Sequence, residues 1–573
     1  MNRAIFTKLV KLHIISPGGV FQLANCFAKD GISLLALLRF TAHYHPSRTA
    51  IVSGGKRLTY KELYEEASRL SKVLFSDYGL TAGACVGLMC KSHIMGTLLL
   101  FALSRLGVKI KLINTDIAPG KMTELVKNKQ IKLLIYDPEL KNTRIPDKLT
   151  CRMTTTTDLD LVLSDKKRNS DVTVPRIKRG GEISVFTGGT SGRYKEAPRQ
   201  MSVFQFLPPF FALLGTLHID EYDSVFLPLP LYHGFGLATF IISLLMGKKI
   251  CLAGHFDAEE ALKTISEERI EVLPVVPAML ARLWQAGNAP TQMQSVKCVI
   301  CGGDRLDKKW VNTTIDHLGK VIYNLYGTSE AGFFMIATPD DLLINEEVTI
   351  GRPINGVECK IEDADSNGTG SLWVRSSWAM VSMKDKWQNT GDLVYRDSNG
   401  YYFYRGRTDG MVVCGGENVF PENVESVING HPDVLASLVF PVPNPHFGTV
   451  LNAHVELIPD SSLTPDGLKS WLHSRLSRAE IPHHISIQPI NMLETGKKAR
   501  DHKIQLKNRK IYIRLARFFI FLCSISHQYT LNYETEKYHC TCFGVHCVAA
   551  GTLVGAVQLA LYHPGGHYRD RSA

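Results

Sequence analysis

The chain has 573 residues, with 65 Lys and Arg against 54 Asp and Glu and 45% apolar side chains. That balance describes a folded protein of about two to four domains with a large core and excludes a disordered chain. The net charge of +11 suits anionic small ligands or a membrane surface. No dense basic run with interleaved aromatics occurs, which argues against nucleic acid as a partner.

Thirteen cysteines lie scattered with no framework spacing, the pattern of free thiols in a reducing, cytoplasmic setting. Cys298 and Cys301 form a CxxC, but "VKCVICGGD" reads as a buried strand and no second pair is near.

At the N-terminus, Arg3, Lys8 and Lys11 precede an apolar run that breaks at Pro17. The run is too short for a signal peptide and predicts a short amphipathic helix. Residues 57–75 carry an apolar stripe at helical spacing. Residues 96–116 read as a buried helix, a stop at Gly107 and a strand. "GEISVFTGGTSGRYK" reads as a strand running into a glycine loop. Gly188, Gly189 and Gly192 there let backbone N–H groups approach an anion; Thr187, Thr190 and Ser191 add hydroxyls, and Lys195 adds a charge. The loop suits a polyphosphate. It is not the P-loop of ordinary ATPases, because no Gly-Lys pair in the chain is followed by Ser or Thr. Farther on, helix and strand signals alternate through "EEALKTISEERIEVLPVVPAMLARLW", "SVKCVICGGDRL" and "KVIYNLYGTSE". This predicts an α/β fold with largely parallel sheets and ligands at the carboxyl ends of strands. The texture changes at 407–410, where a compact region with its own strands and helices begins, and again after Leu506.

Taken in order, "TGGTSGRYK", "PLPLYHGFG", "CGGDRL", "YGTSEAG", "NTGDLVYRDSNGYYFYRGRTDG", "CGGEN" and "ETGKKAR" form a set. Over residues from about 45 to 506 the chain resembles the adenylate-forming enzymes, and most closely the AMP-forming fatty acyl-CoA synthetases. The resemblance implies a large N-terminal AMP-binding domain of stacked, largely parallel sheets with helices (1–407) and a small mobile α+β C-terminal domain (408–506), followed by an extra tail (507–573). It implies ATP and Mg²⁺ as cofactors, CoA as co-substrate, and a medium- or long-chain fatty acid as the acid. It also assigns roles. Thr187 to Lys195 would grip the β- and γ-phosphates. Tyr326 would stack on adenine beside Gly327, in a pocket lined by Gly302, Gly303 and Asp304. Thr328 would meet the α-phosphate, Glu330 would hold Mg²⁺, and Asp392 with Arg407 would hold the ribose side. Lys497 would bridge the acid carboxylate and the phosphate. His233 would gate the acid pocket, with Gly234 to Leu237 lining it. Asp409 would stand at the hinge, and Gly415 and Gly416 beside a pantetheine channel.

Three positions depart from the family's pattern. Gly188 and Tyr194 stand where its phosphate loop has serine and proline, and Gly410 stands where its hinge carries a second acidic residue. Other functions remain open: an acyl-adenylate ligase serving a carrier protein, or a catalytically silent nucleotide- or acyl-binding protein. The tail opens with Lys507, Arg509, Lys510, Arg514 and Arg517 before "FFIFLCSIS", and "FGVHCVAAGTLVGAVQLALY" follows. It reads as an extension without assigned role, a surface-binding segment, or an approach to the roughly 20 residues that cross a bilayer. His539, Cys540, Cys542, His546 and Cys547 gather there at spacings that fit no standard zinc site.

Overall fold

The computed structural model describes residues 3–146, 148–168, 171–177, 180–188, 194–200, 207–380, 383–414, 417–444, 448–493 and 498, with backbone alone over 3–5, 187–188, 194–200 and 207–208. Met1–Arg500 forms one compact unit. The tail readings, from Leu506 onward, lie outside the described residues.

Two parallel-rich sheets carry the large region. In the nine-stranded sheet the order is Arg352–Pro353, Gly332–Ala337, Ile322–Thr328, Cys298–Gly302, Val272–Val275, Ser224–Leu227, Lys249–Leu252, Thr49–Ser53 and Lys56–Thr59. Its six central strands pair in parallel, and its outer strands pair antiparallel. The six-stranded sheet runs Arg152–Thr155, Leu133–Tyr136, Cys85–Met89, Lys109–Leu112, Glu182–Gly188 and Tyr194–Gln200, antiparallel only at the last pair. The expected α/β architecture is what the chain forms.

Local sequence explains the elements that hold the sheets together. The helix Tyr60–Ser76 starts at a capping box in which Thr59 and Glu62 satisfy each other's backbone N–H. The helix Ile94–Arg105 is buried on nearly every side, as its unbroken apolar sequence demands. It stops before Gly107, whose φ of +67° turns the chain into the strand Lys109–Leu112. Its side chains join Val86, Ile110, Phe226, Leu227 and Ile250 in one core shared by both sheets.

A four-stranded antiparallel sheet follows: Val357–Glu362, Gly370–Ser376, Gln388–Arg396 and Tyr402–Arg407. Beyond it come a hairpin (Val412–Cys414 with Glu417–Val419) and a three-stranded sheet of Val434–Asn444, Gly448–Leu457 and His484–Ile487. The helices Pro421–Asn429 and Pro465–Leu472 close a separate core there around Val424, Ile428, Leu451, Val455 and Leu468. This is the small α+β region. Among the described residues no helix is long and apolar enough to cross a membrane.

Candidate active site

The carboxyl ends of neighbouring strands bring the predicted residues together. Gly302, the last residue of Cys298–Gly302, lies in register with Leu325, next to Tyr326. A Cβ on Gly302 would stand 2.6 Å from the Leu325 carbonyl oxygen, so only glycine permits this approach. Gly303 turns the chain at φ +86°, and exposed Asp304 follows, its carboxylate accepting from the Arg305 N–H at 2.8 Å.

The strand Ile322–Thr328 bulges between Tyr326 and Gly327. A bulge re-aims side chains at the end of a strand. Tyr326 meets Phe334 edge-on, with centroids 5.3 Å apart, and its hydroxyl donates to Asp392 Oδ2. Asp392 is buried on Gln388–Arg396, opposite Arg407 on the next strand. Arg407 Nη1 donates to Asp392 Oδ1 at 2.9 Å, and its Nε donates to Asp409 Oδ1 at 2.9 Å. Burial pushes the Asp392 carboxyl up, while Tyr326 and Arg407 pull it back toward the ionised form. Tyr326, Asp392, Arg407 and Asp409 are thus one hydrogen-bonded chain.

Thr328 closes its own turn by accepting from the Ala331 N–H at 3.1 Å. Glu330 is partly exposed two residues on, and its backbone carbonyl accepts from the Met380 N–H at 2.8 Å. Among the described residues no three acidic, His or Cys side chains gather as a metal cage. A single accessible carboxylate fits a Mg²⁺ held mainly by substrate phosphates and water, as that ion prefers.

His233 is the N-cap residue of Gly234–Leu245, beside Tyr232 at 5.1 Å. Gly236 packs so tightly that a Cβ would stand 2.4 Å from the Pro230 carbonyl oxygen. Leu237 is buried in the main core, and Phe235 packs against it. A small cleft opens nearby between Lys91 and Ser92, Pro228, Pro230 and Tyr232, and Gly254 and His255. Those residues follow strands of both sheets. Ser92 Oγ accepts from the Leu231 N–H at 3.2 Å, and the Tyr232 and Thr115 hydroxyls are 2.9 Å apart. Sequence reading found only the "PLPLYHGFG" side of this cleft; Lys91, Ser92, Gly254 and His255 carry no motif.

The strands that flank residues 189–193 belong to the six-stranded sheet. Glu182–Gly188 and Tyr194–Gln200 form an antiparallel hairpin that sets Thr187 opposite Lys195 and Gly188 opposite Tyr194. Gly189, Thr190, Ser191 and Gly192 lie outside the described residues, as do Gly415 and Gly416. Among the described residues no hydrogen bond joins this hairpin to Tyr326 or Asp392.

Lys497 is also outside the described residues, but its neighbour is not. Lys498 is half-buried, pairs with Met492 in an isolated β-bridge, and donates to buried Glu425 Oε2 at 2.8 Å. Burial lowers its pKa, but Glu425, Asp304 and Asp307 outweigh that and raise it. Asp307 caps the helix Lys308–Leu318 by position but makes no cap bond. Its carboxylate instead accepts from Asn429 Nδ2 at 3.2 Å. Burial pushes Asp307 up to about 6 against the opposing pull of Lys498 and Arg305. More contacts join the same two regions: Arg305 to Asn423 at 2.7 Å, Lys309 to the Pro432 carbonyl at 2.6 Å, and Arg282 to Glu456 at 3.0 Å. The doublet Lys497-Lys498 was the signal that sequence reading left unused.

Known proteins share this architecture. A 2-succinylbenzoate–CoA ligase from Bacillus licheniformis is 26% identical over 498 residues, covering 82% of this chain and 98% of its own. The structure of the anthranilate CoA ligase AuaEII with anthranoyl-AMP superposes with a TM-score of 0.71 at 20% identity, over 83% of this chain and 97% of that one. The o-succinylbenzoate CoA synthetase MenE from Bacillus subtilis, with ATP and magnesium, gives a TM-score of 0.66 at 21% identity, over 81% and 98%. The AMP-binding enzyme family matches residues 38–382, a span that holds both large sheets and the strand ends bearing Gly302, Tyr326, Thr328 and Glu330. The chain therefore belongs to the AMP-binding enzyme family.

Proposed function

We propose that this protein is an AMP-forming acid–CoA ligase. The acid's carboxylate oxygen attacks the α-phosphorus of ATP and pyrophosphate leaves. The CoA thiolate then attacks the acyl carbon of the acyl-AMP, and AMP leaves. The carrying observation is the hydrogen-bonded chain Tyr326–Asp392–Arg407, centred on buried Asp392, beside the Gly302–Gly303 turn, on an AMP-binding scaffold.

In this reading the adenine lies on Tyr326 between Gly302, Gly303, Asp304 and Gly327. Asp392, kept ionised by Arg407, accepts from the ribose hydroxyls. Thr328 donates to the α-phosphate, and Thr187 through Lys195 hold the outer phosphates. Glu330 would hold Mg²⁺, which neutralises phosphate charge. Lys497 places its ammonium where charge passes from carboxylate to phosphate, an effect worth about 3–4 kcal/mol. Gly415 and Gly416 border the thiol's approach, Asp409 marks the hinge of a small mobile domain (408–506), and His233 gates the acid.

The names of the relatives support an aromatic or otherwise compact carboxylic acid over the fatty acid that the motifs suggested. A carrier protein in place of CoA has no observation in its favour. The test is pyrophosphate release from purified protein with ATP and Mg²⁺. It is run over benzoate, anthranilate, 2-succinylbenzoate, octanoate and palmitate, with and without CoA. Steady turnover with an aromatic acid and CoA is the expected outcome. Turnover with palmitate alone would restore the fatty-acid assignment, and no release with any acid would end the ligase reading.

A further inference from the structure

The first two helices, Arg3–Lys11 and Pro17–Asp30, precede the family match at residue 38 and take no part in the site. Their surface is unusual. Phe6, Val10, Val20 and Phe21 on these helices, with Ile32 just after them, are five of the twelve strongly exposed large apolar side chains among the described residues. Phe21 is the extreme case at 75% exposure. Phe6 and Val10 are four apart, so they share one face of their helix. On the second helix Val20 and Phe21 share the open side with Ala24 and Ala28. Its other side, with Leu23, Cys26 and Phe27, packs on Ala36 and Phe40. A surface helix ordinarily turns polar residues outward; this one is apolar on both sides.

The pair is also held in a fixed corner. A Cβ on Gly19 would stand 1.5 Å from the His13 carbonyl oxygen, and the His13 ring stacks on Tyr44 at 4.2 Å. Lys8 ties the first helix down through Asp220 at 2.7 Å. The exposed apolar faces therefore belong to anchored helices and not to a frayed end.

Charge selects the occupant. Residues 1–47 contain five Lys and Arg and a single acid, Asp30. Asp30 is buried and spent on Arg39 at 3.1 Å and Arg105 at 3.6 Å. Lys11 and Lys29 are exposed, and no ion pair engages either among the described residues. Outward-facing Phe and Val interleaved with unopposed Lys is the pattern of a helix lying in a lipid headgroup region, where the rings enter the acyl boundary and lysines reach phosphates. We propose that this helix pair docks the protein on an anionic lipid bilayer surface, without crossing it.

The test uses the full chain and vesicles of phosphatidylcholine mixed with phosphatidylglycerol, against phosphatidylcholine alone, read by co-sedimentation. The expected result is salt-sensitive binding to the mixed vesicles only. Val20→Ser with Phe21→Ser lowers partitioning by about tenfold or more. Lys11→Glu with Lys29→Glu lowers it by roughly fivefold per site. Both pairs are exposed, so an unchanged circular dichroism spectrum confirms folding. Absence of vesicle binding overturns the proposal, and so does binding that neither double variant changes. A wild-type dimer in sedimentation velocity that Val20→Ser with Phe21→Ser dissolves would also overturn it, assigning the surface to a second copy.

Discussion

Lys498 Nζ lies 2.8 Å from Glu425 Oε2, and Asp304 and Asp307 of the "CGGDRLD" turn act on the same ammonium. Lys498 is the sequence neighbour of Lys497, the proposed catalytic lysine. We predict that Lys498 acts as a positioning residue. Lys498→Met leaves Glu425 buried without its cation, at a cost of about 3 kcal/mol. It should lower pyrophosphate release by about 100-fold while the KM for ATP stays near the wild-type value. Lys498→Arg should restore most of the rate. Equal loss in both variants with intact folding would remove the positioning role.

Asp392→Asn keeps the shape but gives up the charge that Arg407 holds in place. The loss of a charge-assisted bond to the ribose should raise the KM for ATP by about 10- to 100-fold. Tyr326→Phe removes the hydroxyl that donates to Asp392 but keeps the ring, so its KM should rise less. A nucleotide titration of both variants checks the order.

Asp307 gives the small region a pH-dependent hold. Its folded pKa of about 6 lies above the ordinary carboxylate value, so the folded state binds the extra proton. Its contribution to stability is present below about pH 4 and is lost as pH rises through 6. Ionised Asp307 costs up to about 3 kcal/mol at neutral pH. Asp307→Asn should therefore raise the denaturation midpoint at pH 7.5, and the gain should vanish at pH 4. A constant gain across that window would refute the assignment.

Gly302→Ala places a methyl against the Leu325 carbonyl. The strands Cys298–Gly302 and Ile322–Thr328 must part, at about 1–3 kcal/mol. The shift reaches Tyr326, the next residue, so nucleotide affinity should fall together with stability. Gly254→Ala, where nothing lies within 4 Å, is the control and should leave both unchanged.

The proposed nucleotide side of the site could be named from the sequence because its motifs, taken in order, resemble a family's. The structure then shows Gly302 where two strands meet closely, Gly303 where φ is positive, and Asp392 within the strand Gln388–Arg396. Their partnerships were not legible. Tyr326 and Asp392 are 66 positions apart, and only the fold makes one donate to the other. Asp307 carried no signal in the sequence; that its carboxylate serves Asn429, 122 positions away, depends on the fold. The acid side was least legible. "PLPLYHGFG" announces a pocket, but Lys91, Ser92 and His255 arrive from separate strands, so the motifs pointed to a fatty acid where the relatives act on aromatic ones.

The hairpin proposed to hold the outer phosphates carries a constraint on how this gene can change. Thr187 and Lys195 face each other across a ladder in which side chains alternate between faces. The five residues 189–193 set that pairing. Deleting or inserting one residue there shifts the ladder by one step and sends Lys195 to the opposite face of the sheet. Substitutions that keep the count, such as the glycine and tyrosine this chain carries at the paired positions 188 and 194, leave the register where it is. Loop composition is thus free to drift while loop length is not.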